Sequence, residues 1–212
     1  MSATLAFISI LGALLIGAVS PGPSFVLVSR VSLKASRPDG LAAALGMGVG
    51  GAIFATLALF GLVTILLQVE WLYLALRVLG GLYLLYLGMR IWRGALEPLE
   101  LSEAETPCSS TALRSFALGL VMQLSNPKTA IVYASIFAAL LPSPAPTWLY
   151  FSLPPLVFAL EASWYALVAV AFSAQRPRSA YLRSKAWIDR GAGAVMGTLG
   201  AHLVSEAVVS RS

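Results

Sequence analysis

The sequence has few charged residues, one cysteine and one histidine. Charged residues are 11% of the 212 residues, less than half of the roughly 25% that is usual in soluble domains. The single cysteine, Cys108, excludes a disulfide framework and a cysteine-rich zinc site. The single histidine, His202, argues against a histidine-based metal centre. We therefore expect neither a bound metal nor a cofactor.

Hydrophobic residues, by contrast, make up 58% of the chain, which indicates an integral membrane protein embedded in the lipid bilayer. A helix needs about 20 mostly apolar residues to cross the hydrocarbon core, and six stretches qualify. They are 4–28, 41–67, 71–91, 113–141, 148–174 and 187–209. The first is too long, and lacks the N-terminal positive charge, for a signal peptide. The last is the weakest because it contains Arg190, His202 and Glu206.

Basic residues concentrate in alternate connecting segments. Three segments are basic, namely those with Arg30, Lys34 and Arg37, with Arg90, Arg93 and Arg114, and with Arg176, Arg178, Arg183 and Lys185. Segments 68–70 and 142–146 contain no lysine or arginine. Because basic loops stay in the cytoplasm, we predict that both termini lie outside. The net charge of +5 is then a topology signal, and no nucleic-acid partner is expected.

The two halves of the chain resemble each other. Ser20-Pro21-Gly22-Pro23 in the first stretch matches Asn126-Pro127-Lys128 in the fourth, and Pro127 follows Pro21 by half the chain length. Three helices per half make the second half enter the membrane from the opposite side. We therefore predict an all-α membrane protein, in which six transmembrane helices form two inverted three-helix repeats with broken first and fourth helices.

The repeats define the organisation of a single transmembrane transporter domain, 1–212. Repeat one is 1–95, an acidic connector is 96–112, and repeat two is 113–212. A proline inside a spanning helix removes a backbone hydrogen bond, and the freed carbonyl must be satisfied by protein or by a water-filled cavity. Interrupted helices at matching positions of two halves are typical of the midplane substrate site of a secondary transporter.

The candidate substrate-binding residues are those of the two breaks: Ser20, Pro21, Gly22, Pro23, Asn126, Pro127 and Lys128. Helix N-termini attract a carboxylate and carbonyl ends attract an ammonium, so that unwound backbone can hold a zwitterion. A kink that only improves helix packing is the alternative interpretation of the prolines.

Two charged residues lie near the centre of their helices, where charge is costly. Lys128 either faces the cavity and binds a carboxylate, or extends to the interface or neutralises an acidic neighbour. Glu161 is the only carboxylate deep in the first five stretches. Since burial disfavours its charged form, it is our candidate for proton coupling, together with Lys128. The alternative is a static Glu161–Lys128 pair. We interpret His202 as a packing residue and keep it as the second candidate proton carrier.

These motifs also resemble a known family. Ser20-Pro21-Gly22-Pro23, the glycine-rich second helix, a Gly80-x-x-Tyr83-Leu84-x-Tyr86-Leu87-Gly88 segment and Asn126-Pro127-Lys128 are similar to the lysine-exporter (LysE/RhtB) family of bacterial inner-membrane proteins. The resemblance covers nearly the whole chain. It implies six helices and the efflux of amino acids, such as threonine, homoserine, leucine or lysine, by antiport with protons. It does not identify the amino acid, and it leaves a homodimer open.

Other function classes lack their residues. A serine protease needs a Ser–His pair, but no Gly-x-Ser-x-Gly segment occurs, and neither does His-Glu-x-x-His. We therefore expect no enzyme. A metal exporter would need several inward ligands, and only Glu161 is deep. An exporter of another small solute or of a metal cation is the alternative to amino-acid efflux, and a non-transporting subunit would lack a central cavity.

The charge pattern generates a topology test. A periplasm-specific reporter fused after Ser212 should be active, and the same reporter fused after Ser36 should be inactive, because the segment around Lys34 is basic. Reporter activity normalised to protein abundance is the measurement. The reverse result would contradict the orientation of both halves.

Overall fold

The computed structural model describes residues 2–68, 70–97, 111–142 and 144–209. These residues contain eight α-helices and one 3-10 turn, and no strand, which confirms the all-helical prediction. The helices are α1 (Ala3–Val19), α2 (Pro23–Lys34), α3 (Arg37–Gln68), α4 (Glu70–Arg93), α5 (Ala112–Ser125), α6 (Pro127–Leu140), α7 (Thr147–Phe172) and α8 (Gln175–Val209), with the 3-10 turn at Gly94–Leu96.

The first predicted span is interrupted where its prolines occur. Helix α1 ends at Val19, α2 begins at Pro23, and the two axes are bent by 57°. Ser20 and Gly22 between them have extended backbone conformations. Pro23 is the first residue of α2, a position where the missing N–H costs nothing and the fixed φ suits a helix.

The fourth predicted span is interrupted in the same way. Helix α5 ends at Ser125 and α6 begins at Pro127, with Asn126 between them in an extended conformation. The Asn126 side chain accepts a hydrogen bond from the Lys128 backbone N–H at 3.0 Å, as is typical of an N-cap residue. Each break is therefore a helix stop followed by a proline-led helix start.

Few of these helices span a membrane by length and apolar composition alone. Within the described ranges, Arg37–Gly61 and Thr147–Phe172 qualify, and α1 with α2 qualifies as one bent span. Helices α5 and α6 are short apolar helices. The predicted arrangement of six spans as two inverted repeats stays a prediction. In the predicted connector 96–112, residues 98–110, with Cys108, lie outside the described residues.

The helices pack as two groups joined by α1 and α6. Helix α3 lies along both α5 and α7, α2 packs on the same three helices, and α4 lies along α8. Helix α1 contacts α7 and α8, and α6 contacts α3 and α4. Helices α1 and α6, each of which borders one break, thus lie between a larger group (α2, α3, α5 and α7) and a pair (α4 and α8).

Glycines allow the closest of these contacts. A Cβ atom at Gly46 of α3 would collide with the Phe116 carbonyl oxygen of α5. On the α4–α8 contact, a Cβ at Gly88 would lie 2.7 Å from the Gly193 oxygen, and one at Gly193 would lie 2.8 Å from the Gly88 oxygen. Helix backbones can approach this closely because small residues lie at the contact.

Two apolar cores meet at the breaks. The first contains buried residues of α1 and α6, such as Leu14 and Phe137. The second contains those of α2, such as Phe25, with Met122 of α5 packed against it. The chain therefore passes from the first core to the second at Ser20–Gly22, and back again at Asn126. The polar breaks lie at the boundary between the two cores.

Candidate functional site

All seven predicted substrate-binding residues line one cavity, of about 730 Å³. The two breaks form one wall of it. The other wall comes from the end of α4 and the first half of α8, including Arg90, Glu97, Lys185 and Asp189. Leu87 and Ile91 add apolar surface. The cavity therefore lies between the breaks and the α4–α8 pair.

The two breaks contact each other directly. Asn126 Nδ2 donates a hydrogen bond to Ser24 Oγ at 3.2 Å, so that the end of α5 is linked to the start of α2. A Cβ atom built at Gly22 would lie 3.3 Å from Lys128 Nζ. Glycine at position 22 thus leaves room for the ammonium of Lys128 beside the first break.

Lys128 brings an unpaired cation to the cavity. Its side chain is half-buried, and no hydrogen bond or ion pair joins its ammonium to any described residue. Helices α2 and α6 also begin at the cavity wall, and the positive ends of their dipoles add to the field of the ammonium. This end of the cavity suits a carboxylate.

Glu161 lies behind the breaks in a network of uncharged partners. Its Oε1 accepts from Tyr133 OH at 2.8 Å and its Oε2 accepts from Gln123 Nε2 at 2.8 Å. Gln123 Oε1 in turn accepts from Ser24 Oγ at 3.0 Å. The Glu161 side chain is 3% exposed. One of the two alternatives expected a static Glu161–Lys128 pair. No hydrogen bond or ion pair joins these two residues.

A second, smaller cavity of about 30 Å³ connects the network to the breaks. Glu161, Tyr133 and Gln123 line it, and so do Gly22 and Lys128, which also line the large cavity. Its volume suits about one or two water molecules. Four residues of the breaks, Ser20, Gly22, Asn126 and Lys128, line both cavities.

Lys185 and Asp189 form an ion pair on the opposite wall. Lys185 Nζ lies 2.9 Å from Asp189 Oδ2, and it also donates to the carbonyl oxygens of Gly94 and Ala95 at 3.3 and 3.4 Å. Both side chains are buried. Lys185 therefore holds the turn after α4 against α8, on the cavity wall opposite the breaks.

Five of these polar residues were missed by the sequence analysis: Ser24, Gln123, Tyr133, Lys185 and Asp189. Gln123 had a usable signal, because it is the one polar side chain in the run 116–124 and lies three positions before Asn126. Lys185 and Asp189 are one helical turn apart, but Lys185 was assigned to a basic loop and Asp189 was given no role.

The remaining titratable candidate lies elsewhere. His202 is exposed on α8 and lines neither of the two cavities. Among the residues that the structure describes, no three His, Cys, Asp or Glu side chains come together as metal ligands.

Comparisons with known proteins identify relatives over almost the whole chain. The family model described as LysE type translocator matches residues 15–207. The threonine efflux protein of Escherichia coli (strain K12) is 34% identical over 192 residues, which cover 90% of this chain and 93% of that protein. The leucine efflux protein of Salmonella choleraesuis (strain SC-B67) is 34% identical over 126 residues, or 59% of this chain and 58% of that protein. No solved structure matches the chain.

The geometry of the second break generates a prediction. Replacing Pro127 by Ala supplies the missing N–H and removes the clash with the preceding turn, so that α5 and α6 can join as one helix. We expect amino-acid transport in vesicles to fall at least tenfold while membrane abundance, measured by immunoblot, is unchanged. Pro146→Ala is the matched control, because Pro146 precedes α7 and lines neither cavity. Normal transport by Pro127→Ala would show that the break is not needed.

Proposed function

We propose that the protein exports small neutral amino acids across the bacterial inner membrane. The chain belongs to the LysE type translocator family, and it is therefore a membrane transporter and not an enzyme. The observation that carries the proposal is the cavity in which both helix breaks come together with Lys128, whose ammonium has no partner among the described residues. The names of the relatives, threonine and leucine efflux proteins, support the same class of substrate.

The cavity has the properties that a zwitterionic substrate needs. Its volume lies within the range of about 300–1,000 Å³ that is usual for small-molecule sites. The unpaired ammonium of Lys128 and two helix N-termini can bind a carboxylate, and Leu87 and Ile91 provide surface for an apolar or small polar side chain. The seven residues of the breaks are the proposed substrate-binding residues.

The large cavity reaches exposed residues on the side that the basic segments predict to be cytoplasmic. It extends to Arg90 and Glu97, which are exposed at the end of α4, and the neighbouring basic segments favour a cytoplasmic position. We propose that this conformation is the one that loads substrate from the cytoplasm, with both termini outside. An exporter must take up its substrate from that side.

The inverted repeat is part of the same proposal, with repeat one at 1–95, a connector at 96–112 and repeat two at 113–212. Its support is the order of the two apolar cores. Helix α1 belongs to the first core and α2 to the second, whereas α5 packs on the second and α6 belongs to the first. The reversed order is what opposite insertion of two similar halves predicts.

The hydrogen bonds of Glu161 support the proposal of proton antiport. Both of its partners, Tyr133 OH and Gln123 Nε2, donate to it, so that the arrangement fits a charged carboxylate that accepts at both oxygens. A proton on Oε2 faces the Gln123 amide nitrogen, which can only donate, and weakens that bond, whereas a proton on Oε1 can be donated to the Tyr133 oxygen and reverses that bond. Tyr133 is on α6 and Gln123 is on α5, so that protonation changes the link between the two sides of the second break.

The direct test is efflux from proteoliposomes that contain the purified protein. We expect radiolabelled threonine to leave them, and a pH gradient with excess protons outside to accelerate its release, because inward proton movement drives antiport. Empty liposomes are the control. If no amino acid is released but another small solute or a metal cation is, the alternative function is correct.

The role of Glu161 generates a separate prediction. Glu161→Gln resembles the protonated state permanently, and we expect it to abolish acceleration by the pH gradient. Exchange between two compartments that both contain threonine should remain within about twofold of the wild type, since exchange needs no net proton movement. Both rates are measured in the same vesicles. Full gradient-driven efflux by this variant would assign the proton to another residue, with His202 next to test.

A further inference from the structure

Asp189 lines the large cavity on the wall opposite the breaks, and one of its carboxylate oxygens has no hydrogen-bond partner among the described residues. We propose that Asp189 binds the ammonium group of the substrate and that it restricts the transporter to α-amino acids with a free amino group. This inference rests on the proposed function, to which it adds the half of the substrate that Lys128 does not bind.

The hydrogen bonding of Asp189 is incomplete. Its Oδ2 accepts from Lys185 Nζ at 2.9 Å, whereas Oδ1 is buried and has no hydrogen-bond partner in the described part of the chain. The whole residue is 4% exposed. A buried acceptor without a partner has lost its hydration without gaining a hydrogen bond, which costs free energy. A donor group of the substrate that bonds to Oδ1 would recover this free energy.

The other carboxylates near the breaks do not meet the same requirement. Glu161 already accepts one hydrogen bond at each oxygen and lies behind the breaks, on the small cavity. Glu97 is exposed at the mouth of the large cavity, where water solvates its charge and weakens an ion pair. Of the carboxylates that line the large cavity among the described residues, Asp189 is the buried one.

The two lysines that line the cavity differ in the donors they have available. Lys185 donates to Asp189, Gly94 and Ala95, and an ammonium has three donors, so that it has none left for a substrate. Lys128 is not engaged in this way. A zwitterion therefore meets an available acceptor on α8 and an available donor on α6, at opposite walls of one cavity.

This pairing predicts a specificity. A buried site that hydrogen-bonds a substrate group discriminates strongly against analogues that lack the group, because its own polar atoms are then left unpaired. Replacing the ammonium by a hydroxyl removes two donors and the positive charge, and acetylation of the amine removes the charge and adds bulk. Neither analogue should be accepted well, although both keep the carboxylate that Lys128 would bind.

The test is competition against threonine exchange in proteoliposomes without a pH gradient. Threonine, 2,3-dihydroxybutanoate and N-acetylthreonine are the competitors, and the ratio of their inhibition constants is the measurement. In wild-type protein we expect threonine to be favoured over 2,3-dihydroxybutanoate by about tenfold or more. In Asp189→Asn, threonine should bind about tenfold more weakly while 2,3-dihydroxybutanoate is unchanged, so that the ratio collapses.

Asp39→Asn is the matched control. Asp39 is also a hydrogen-bonded carboxylate, since Ser115 Oγ donates to it at 3.0 Å, but it lies at the start of α3 and lines neither cavity. Its substitution should leave the ratio unchanged. If Asp189→Asn does not insert, Asp189→Glu keeps the charge and shifts its position, and it should weaken threonine more than 2,3-dihydroxybutanoate.

A merely structural role of the Lys185–Asp189 pair gives a different result. Both competitors would then weaken in parallel, in Asp189→Asn or in Asp189→Glu, and an unchanged ratio overturns the inference. If wild-type protein exchanges threonine but binds 2,3-dihydroxybutanoate equally well, the inference about Asp189 is wrong and the proposed function is unaffected. Wild-type protein that exchanges no amino acid overturns the proposed function as well.

Discussion

The site depends on one constraint, which is that backbone polar groups cannot be left unpaired in the hydrocarbon of a bilayer. Two interrupted helices are tolerated here because the interruptions meet. Asn126 caps α6 through its side-chain oxygen and donates through its side-chain nitrogen to Ser24, at the start of the other interrupted pair. The two breaks are thus linked through side chains, and the space between them and the α4–α8 pair is the cavity.

The same constraint explains why so few charged side chains are present. Helix N-termini supply positive field without an ionisable group, so that the breaks add only Lys128 to the carboxylate end of the site. A larger number of buried charges would each need a partner. Lys185 and Asp189 illustrate this, since the two ions are buried as a pair. Two backbone carbonyl oxygens accept the other hydrogen bonds of the lysine.

The sequence predicted the positions of the breaks, because proline acts through local sterics that need no knowledge of the fold. The all-helical class followed from the apolar stretches, which are long enough for membrane-spanning helices. The partners of Glu161 were not predictable in this way. Gln123 and Tyr133 lie on different helices from Glu161, and tyrosine in an apolar helix is ordinarily a packing residue. The Lys128–Glu161 alternative assumed that opposite charges deep in the membrane must pair, whereas the carboxylate is instead held by two neutral donors.

The two buried carboxylates differ in what they can exchange, and this difference separates the roles proposed for them. Among the residues that the structure describes, Glu161 has both oxygens occupied and no cationic partner, so that the change available to it is to gain or lose a proton, with the rearrangement of one hydrogen bond. Asp189 is already neutralised in charge by Lys185 but keeps a vacant oxygen, so that it can gain a donor without a proton transfer. Protonation of Glu161 would change its hydrogen bonds to α5 and α6. Substrate binding at Asp189 would take place on the cavity wall formed by α8. Because the α4–α8 pair and the larger helix group are joined through α1 and α6, the two events act on opposite sides of the same interrupted helices.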